Sequence, residues 1–211
     1  MALVKYNNNS ISAVTSAASI PSGALTHIKT LTASSSATLS FVHGTDGVVL
    51  DSTYPIYKFE FINIHPATNM ADFSFNMSTD GGSNYNVAKT STYFKAQHQG
   101  STGNYGSLDY FTAGDLAQGT GFQRLTEALS NGNTASMSGT LTIYNPSSSV
   151  FVKHFMYEAA DFGNDNFIIN EFVAGYGNTQ SAVNSIQFKF DTGNIDAGTI
   201  KLYGIKDSWW A

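Results

Sequence analysis

The stretch that decides the fold is Ile56-Tyr57-Lys58-Phe59-Glu60-Phe61-Ile62-Asn63-Ile64-His65. Its aromatic residues at 57, 59 and 61 alternate with Lys58 and Glu60, so the rings point to one side of an extended chain and the charges to the other. This alternation is typical of a β-strand with one buried face. Pro66 follows and ends the strand, because proline has no N–H to donate to a neighbouring strand.

The same period of two recurs along most of the chain. It predicts further strands at 25–32, 36–43, 73–77, 85–95, 137–144, 149–158, 166–174, 182–190 and 198–205. Asp80–Asn84 contains two glycines for a turn with positive φ, and the segments 145–148 and 191–194 are predicted to close hairpins. About ten strands at this spacing favour an all-β fold, a two-sheet antiparallel sandwich or jelly roll.

Two regions depart from the strand pattern. Leu116, Phe122, Leu125 and Leu129 have loose helical spacing, which predicts at most one short helix within 115–131. The region 97–121 is rich in Gly, Ser and Tyr, and it is predicted to be a long loop, which in a compact sandwich is functional or disordered.

Composition supports one domain with a substantial core. The chain has 211 residues, 42% of them hydrophobic, and Ser, Thr and Asn together make up about 30%. This hydrophobic content excludes wholesale disorder. The absence of cysteine excludes disulfides, zinc–thiolate sites and thiol nucleophiles.

The charge pattern excludes two classes of partner. Ten Lys and Arg residues, scattered singly, stand against fifteen Asp and Glu, and Arg124 is the one arginine. A nucleic-acid surface needs clustered cations, so we expect no nucleic-acid binding. No apolar run approaches ~18–20 residues, so we expect no membrane insertion. The start, Met1–Asn7, lacks the apolar stretch of a secretion signal, which predicts synthesis in a cytoplasm.

Residues 1–23 form a segment of small and polar residues that precedes the sandwich domain, 24–211. Few bulky side chains are present, so this segment cannot bury much surface by itself. It is either a frayed terminus or an extended arm that becomes ordered on another subunit, and we favour the arm. Its candidate docking residues are Leu3, Val4, Tyr6, Ile11 and Val14. At the other end, Trp209 and Trp210 would be a sticky patch in water, so we expect them at a subunit interface or the base of the sandwich.

The sequence contains few residues in patterns typical of a catalytic or metal site. The chain has no G-x-S-x-G, H-E-x-x-H or phosphate-binding loop motif, and its five histidines are scattered. Glu158, Asp161, Asp165 and Glu171 fall close together, but their spacing fits an ordinary polar turn better than a calcium loop. Glu60, Asp72 and Glu158 lie on predicted strands, yet nothing selects a hydrolytic pair among them. We therefore predict no catalytic residue, no metal and no cofactor.

Exposed aromatic rings beside amides are the side chains on which sugars stack. Tyr85, Tyr93, Tyr105 and Tyr110 lie close to polar neighbours, although structural packing explains most aromatic residues. A glycan-binding alternative would use Tyr105, Tyr110 and Asn104 in the 97–121 region.

Several stretches carry a family resemblance: Phe172–Tyr176, Ser181–Phe188, Gly193–Ile205, Asp80–Tyr85 and Asn7–Ser10. Together they resemble a recurrent pattern in structural proteins of tailed bacteriophages, especially marine ones, and the stretch from Gly193 is the most specific. The resemblance spans most of the chain. It implies a jelly-roll virion protein, and no catalytic residues come with it.

These observations lead to one leading expectation and two alternatives. We expect a non-enzymatic virion surface protein, a capsid decoration or auxiliary protein of the cement type. It would form a homotrimer and dock through its arm on virion partners such as the major capsid protein or the tail. The first alternative is a receptor-binding fibre or spike module that recognises host glycans. The second is a polysaccharide hydrolase.

Overall fold

The computed structural model describes residues 25–100, 105–163 and 166–206. The predicted arm (1–23), Asn104, Trp209 and Trp210 lie outside the described residues, so the roles predicted for them remain predictions. The strands are β1 (Leu25–Thr32), β2 (Leu39–Val42), β3 (Ile56–Pro66), β4 (Phe73–Ser78), β5 (Lys89–Gln99), β6 (Gly106–Tyr110), β7 (Gln123–Arg124), β8 (Met137–Tyr144), β9 (Lys153–Phe162), β10 (Phe167–Gly177), β11 (Ser185–Phe190) and β12 (Ile195–Ile205).

These strands form two antiparallel sheets that stack as a β-sandwich. The large sheet has eight strands in the order β1-β12-β3-β8-β9-β10-β5-β6, and the small sheet has four in the order β2-β11-β4-β7. The prediction of an all-β, two-sheet antiparallel sandwich is therefore confirmed.

The core lies between the two sheets and is aromatic. Phe59 and Phe61 of β3 are buried, as their alternation predicts, and both make edge-to-face contacts with Phe188 of β11 at 5.2 Å between ring centroids. Phe75 of β4 meets Phe155 of β9 at 5.1 Å in the same geometry. Edge-to-face packing suits the ring quadrupoles and adds to the burial of apolar surface.

No helix forms within 115–131, where the spacing of Leu116, Phe122, Leu125 and Leu129 predicts at most one. The region contains the two-residue strand β7, and a single 3₁₀ turn, Thr112–Gly114, precedes it. Gln118 and Ala128 have positive φ, which interrupts a helix. The backbone N–H of Leu125 donates to Phe73 O at 2.8 Å, so these groups bond across to β4 instead of along a helix.

Two connections also differ from prediction. The segment 191–194 was predicted to close a hairpin, but β11 and β12 lie in different sheets, so it is a crossing between the two layers. Gly193 has φ +71° and lies against Thr68, which leaves no room for a Cβ. The predicted loop 97–121 is shorter than expected, because β5 continues to Gln99 and β6 pairs with it. The 145–148 hairpin is confirmed by the β8–β9 pairing.

Candidate functional site: the outer face of the large sheet

The outer face of the large sheet divides into two halves of different character. The polar half comprises β1, β12, β3 and β8, and the apolar half comprises β9, β10, β5 and β6. On the polar half, Lys58 of β3 forms an ion pair with Glu60 at 3.2 Å, and Lys201 lies beside Glu60 in the register of β12 with β3. Charged side chains thus lie in the middle of this half, and Leu25, Ile62 and Tyr144 are the large hydrophobic side chains exposed on its strands.

The apolar half exposes large hydrophobic side chains. Leu108 is 73% exposed, Met156 56% and Phe94 42%. The other large ones on this half are Tyr110, Phe162 and Ile168. Fully exposed aromatic rings present about 150–250 Å² each, so six large side chains at about half exposure offer on the order of 600 Å². That area is at the upper end of apolar patches on monomeric proteins.

Strand register brings these side chains together. Phe94 of β5 lies opposite Phe172 of β10, and the two rings stack at 4.8 Å with planes 10° apart. Tyr110 of β6 lies opposite Phe94 on the other side, which extends the row of rings to the sheet edge. The next row consists of Ala160, Asn170, Ala96 and Leu108, so small side chains alternate with larger ones beside the row of rings.

Charge is scarce on this half. Glu158 carries the one full charge on the outer side of β9, β10, β5 and β6, all of which lie within the described residues. His98 and His154 are the titratable neighbours. A face with so little charge gives no attraction to phosphate or to acidic partners.

A groove of about 600 Å³ lies at one end of this half, next to β8. Its walls include Tyr144, Met156, His154 and Tyr176. Gly175 forms part of its lining, and a Cβ there would collide with Thr90 O at 2.5 Å and with the Phe155 ring at 2.7 Å. The packing of β10 against β5 and Phe155 beneath the groove therefore requires glycine at this position. The lining of the groove contains no carboxylate or lysine.

Tyr105 and Tyr110, the two predicted glycan residues that the structure describes, do not share a face of the sheet. Tyr110 is exposed on the outer side, where its hydroxyl donates to the Asp115 carboxylate. The Tyr105 ring instead meets Phe167 edge-to-face at 5.8 Å, on the other side of the sheet. Tyr93 is fully buried, so the sequence expectation that it could lie near a sugar is wrong.

A second constellation lies on the inner side of the apolar half. Asp161 of β9 and Glu171 of β10 are both buried there. Glu171 Oε2 accepts a hydrogen bond from Tyr93 Oη at 2.5 Å, and Oε1 accepts one from the backbone N–H of Glu127 at 2.8 Å. Lys95 forms an ion pair with the Glu127 side chain. The sequence grouped both acids with an ordinary polar turn, but they occupy buried inward positions of two paired strands.

Burial disfavours the ionised form of this acid pair. Burial raises the pKa of Asp161 to about 7 and that of Glu171 well above its usual range. Burial also lowers the pKa of Lys95 and raises the pKa of Tyr157. Neither oxygen of the Asp161 carboxyl has a hydrogen-bond partner among the described residues. We call Asp161 and Glu171 the dyad.

The dyad is hydrogen-bonded, through Glu171, to residues 111–131, a segment that covers this part of the sandwich. The backbone of Glu127 is tied to Glu171, and Leu125 N–H is tied to Phe73 O. Arg124 forms an ion pair with Asp72 at 2.6 Å. The dyad thus lies under protein and has a structural explanation that needs no substrate.

The other acids considered for hydrolysis are not gathered in a cleft. Glu60 and Glu158 flank Thr140 in one row across the open outer face, whereas Asp72 is engaged with Arg124 elsewhere. Within the described residues no group of three or more His, Asp or Glu is placed to hold a metal ion. No helix in that part of the chain is long and apolar enough to cross a membrane.

Comparison with known proteins adds no relative: no model of a protein family, no curated protein and no solved structure matches the chain.

Proposed function

We propose that this protein is a non-enzymatic structural protein of a bacteriophage virion, a capsid decoration or auxiliary protein. The observation that carries the proposal is the exposed apolar half of the outer face. A protein of this kind works by lasting contact with other protein surfaces, and lasting contact requires apolar area that is buried on assembly.

Area and charge favour a protein partner for this face. The large apolar side chains offer on the order of 600 Å², and a stable interface buries about 800 Å² on each partner, which the polar rim would complete. Glu158 is the one full charge among the outward residues of the four strands, so an apolar protein surface complements the face better than a charged polymer does.

The first occupant we assign to this face is another copy of the chain, within the homotrimer expected from the sequence. The row of rings at Phe94, Phe172 and Tyr110 lies beside a row that holds the exposed Leu108 and two alanines, so the rings of one copy would pack against apolar side chains of the next. The arm, with Leu3, Val4, Tyr6, Ile11 and Val14, is then free to contact the shell, and this part of the proposal rests on the sequence.

The absence of an enzymatic role is also part of the proposal. The groove at Tyr144 and Tyr176 contains His154 but no carboxylate to act with it as acid and base. The buried dyad of Asp161 and Glu171 is covered by residues 111–131 and engaged in holding them.

A glycan-binding fibre or spike module is the second candidate, and the groove is the observation that favours it. Tyr144, His154 and Tyr176 offer ring faces there, and Thr90 and Thr92 offer hydroxyls. Sugars are bound by this combination of stacking and hydrogen bonding. A glycan array separates the candidates, because a decoration protein gives no sugar-dependent signal.

The test is to locate the protein in purified particles. Capsids and tails are separated on density gradients, and each fraction is analysed by peptide mass spectrometry and electron cryo-microscopy. We expect the protein in the capsid fraction, on the outer surface, with its apolar half covered. Its absence from particles would overturn the proposal, and its presence in the tail fraction would favour the fibre alternative.

A further inference from the structure

Lys89 and Asn76 form a buried contact between the two sheets. Lys89 begins β5 of the large sheet, Asn76 lies in β4 of the small sheet, and both side chains are fully buried. Lys89 Nζ donates a hydrogen bond to Asn76 Oδ1 at 2.5 Å and another to Val87 O at 2.8 Å. A C=O bond is about 1.2 Å long, so this contact places Nζ within about 3.7 Å of the Asn76 amide carbon, close to the separation of reacting atoms.

Hydrogen bonds fix the orientation of the Asn76 amide. Its Nδ2 donates to Tyr85 O at 2.6 Å and to Thr120 O at 3.0 Å. Its Oδ1 accepts the backbone N–H of Met77 at 2.8 Å in addition to Lys89 Nζ. A backbone N–H on the carbonyl oxygen stabilises negative charge that develops there when the amide carbon is attacked.

Lys89 Nζ has no counterion among the described residues and donates to two acceptors, Asn76 Oδ1 and Val87 O. Burial lowers the pKa of Lys89 to about 7, and no neighbouring carboxylate opposes that shift. A neutral, desolvated amine is a nucleophile. The buried Lys153 is the natural comparison: its Nζ donates to three backbone carbonyls, of Ser148, Phe151 and Thr179, which use its three protons.

We propose that Lys89 and Asn76 form an intramolecular isopeptide bond. The neutral Lys89 amine attacks the amide carbon of Asn76, and a new C–N bond forms while the C=O π electrons move to Oδ1. The hydrogen bond from the Met77 N–H stabilises the negative charge on Oδ1. A proton passes from Nζ to Nδ2, the C–Nδ2 bond breaks, and ammonia leaves. The products are one secondary amide and one ammonia, with no oxidant, reductant or cofactor consumed.

The bond would join β4 of the small sheet to β5 of the large sheet. The chain has no cysteine, so a disulfide cannot link the layers. An amide between the sheets resists reduction and mechanical separation. It also removes a buried amine whose charged form burial disfavours.

Mass spectrometry of the full-length protein tests the proposal directly. The protein is incubated at a pH above 8, where the amine is neutral, and its intact mass is compared with the mass calculated from the sequence. We expect a loss of about 17 Da, the mass of ammonia. Trypsin cuts after Lys58, Lys89 and Lys95 in this region, but an acylated Lys89 is not cut. The linked protein therefore yields one peptide, 59–95, that carries the loss of mass.

Variants separate this bond from other losses of ammonia. Lys89→Met removes the nucleophile and restores the full mass, whereas Lys153→Met, the matched control, leaves the loss in place. A succinimide elsewhere also removes ammonia but leaves cleavage at Lys89 intact. Full mass in the wild-type protein after prolonged incubation, or a loss of mass combined with cleavage at Lys89, would overturn the proposal.

Discussion

The polar half and the apolar half of the large sheet differ in what they expose. On the polar half, Phe59 points inward to the core, and Lys58 and Glu60 point outward. On the apolar half, Phe94 points outward, and the buried acid Glu171 points inward among core residues such as Phe155. Both halves thus bury apolar side chains, but the apolar half also buries acids and exposes rings.

The reason for the difference is what covers each inner surface. The aromatic side chains of the small sheet, Phe188 and Phe75, contact β3 and β9, and hydrogen bonds within the sheet satisfy its own backbone. Residues 111–131 cover the inner surface further along, and an irregular segment needs polar partners for its backbone. Glu171 and Tyr93 provide them, so polar groups occupy the inside of the apolar half.

The largest expected difference in the free energy of unfolding comes from replacing one phenylalanine by alanine on each half. Phe59→Ala leaves a cavity in a close-packed aromatic core and should lower the free energy of unfolding by about 3–5 kcal/mol. Phe94→Ala removes an exposed ring whose main contact is the stack with Phe172, and about 1 kcal/mol is expected. Chemical denaturation measures both. Equal losses would show that the exposed half is not open in the folded chain.

The next effect concerns the inward acid of the apolar half. Glu171→Ala leaves the Tyr93 hydroxyl and the Glu127 N–H without their acceptor and should cost about 2–4 kcal/mol. Glu171→Gln keeps an acceptor and the volume, so it should recover most of that loss. Glu60→Ala on the polar half is the control and should change stability by about 0.5 kcal/mol or less. A loss as large for Glu171→Gln as for Glu171→Ala would show that charge matters more than the hydrogen bonds.

The dyad also predicts an unusual dependence of stability on pH. The pKa of Asp161 is raised to about 7 in the folded protein, so its contribution is fully present below its ordinary value, near 4, and is lost as pH rises through 7. The slope reaches at most about 1.4 kcal/mol for each pH unit and proton. Asp161→Asn should flatten the fall in stability between about pH 4 and 7. Asp46→Asn, an equal change of charge on the surface, should leave the slope unchanged, and a slope preserved in Asp161→Asn would contradict the assignment.

The smallest effect belongs to the outer ion pair of the polar half. Lys58 and Glu60 are each about 30% exposed at the side chain, and such pairs contribute about 0–0.5 kcal/mol. A double-mutant cycle with Lys58→Met and Glu60→Gln measures this coupling. A coupling above about 1 kcal/mol would show that the polar half, too, is covered by a partner.

The fold class could be predicted from the sequence because the alternation of side chains along a strand is visible whichever of its faces is buried. The run from Ile56 to His65 places the core residues of β3 correctly. The alternation of β10 gives a strand but not its inward side, because Phe172 and Val173 are both apolar while Glu171 is buried. Hydrophobicity alone would turn Phe172 inward. The spacing of Leu125 and Leu129 correctly indicated buried side chains, but no helix forms there, because the backbone N–H of Leu125 donates to β4.

The candidate site could be predicted from the sequence only in small part. Tyr110 was identified, but the face around it is assembled from four strands, whose order no single sequence reveals. The pairing of Phe94 with Phe172 and the proximity of Asp161 to Glu171 depend on that order. The contact of Lys89 with Asn76 depends on how the two layers are stacked.

The most direct test of the account is the solution mass of the protein at micromolar concentration, measured by sedimentation. The wild-type chain should assemble, with a trimer expected. Phe94→Ser combined with Met156→Ser should give a folded monomer, because both side chains lie on the apolar half. Lys58→Ser combined with Thr142→Ala, on the polar half, should leave the assembly intact. A wild-type chain that remains monomeric, or an assembly that the apolar-half substitutions leave unchanged, would contradict the claim that this face exists for contact.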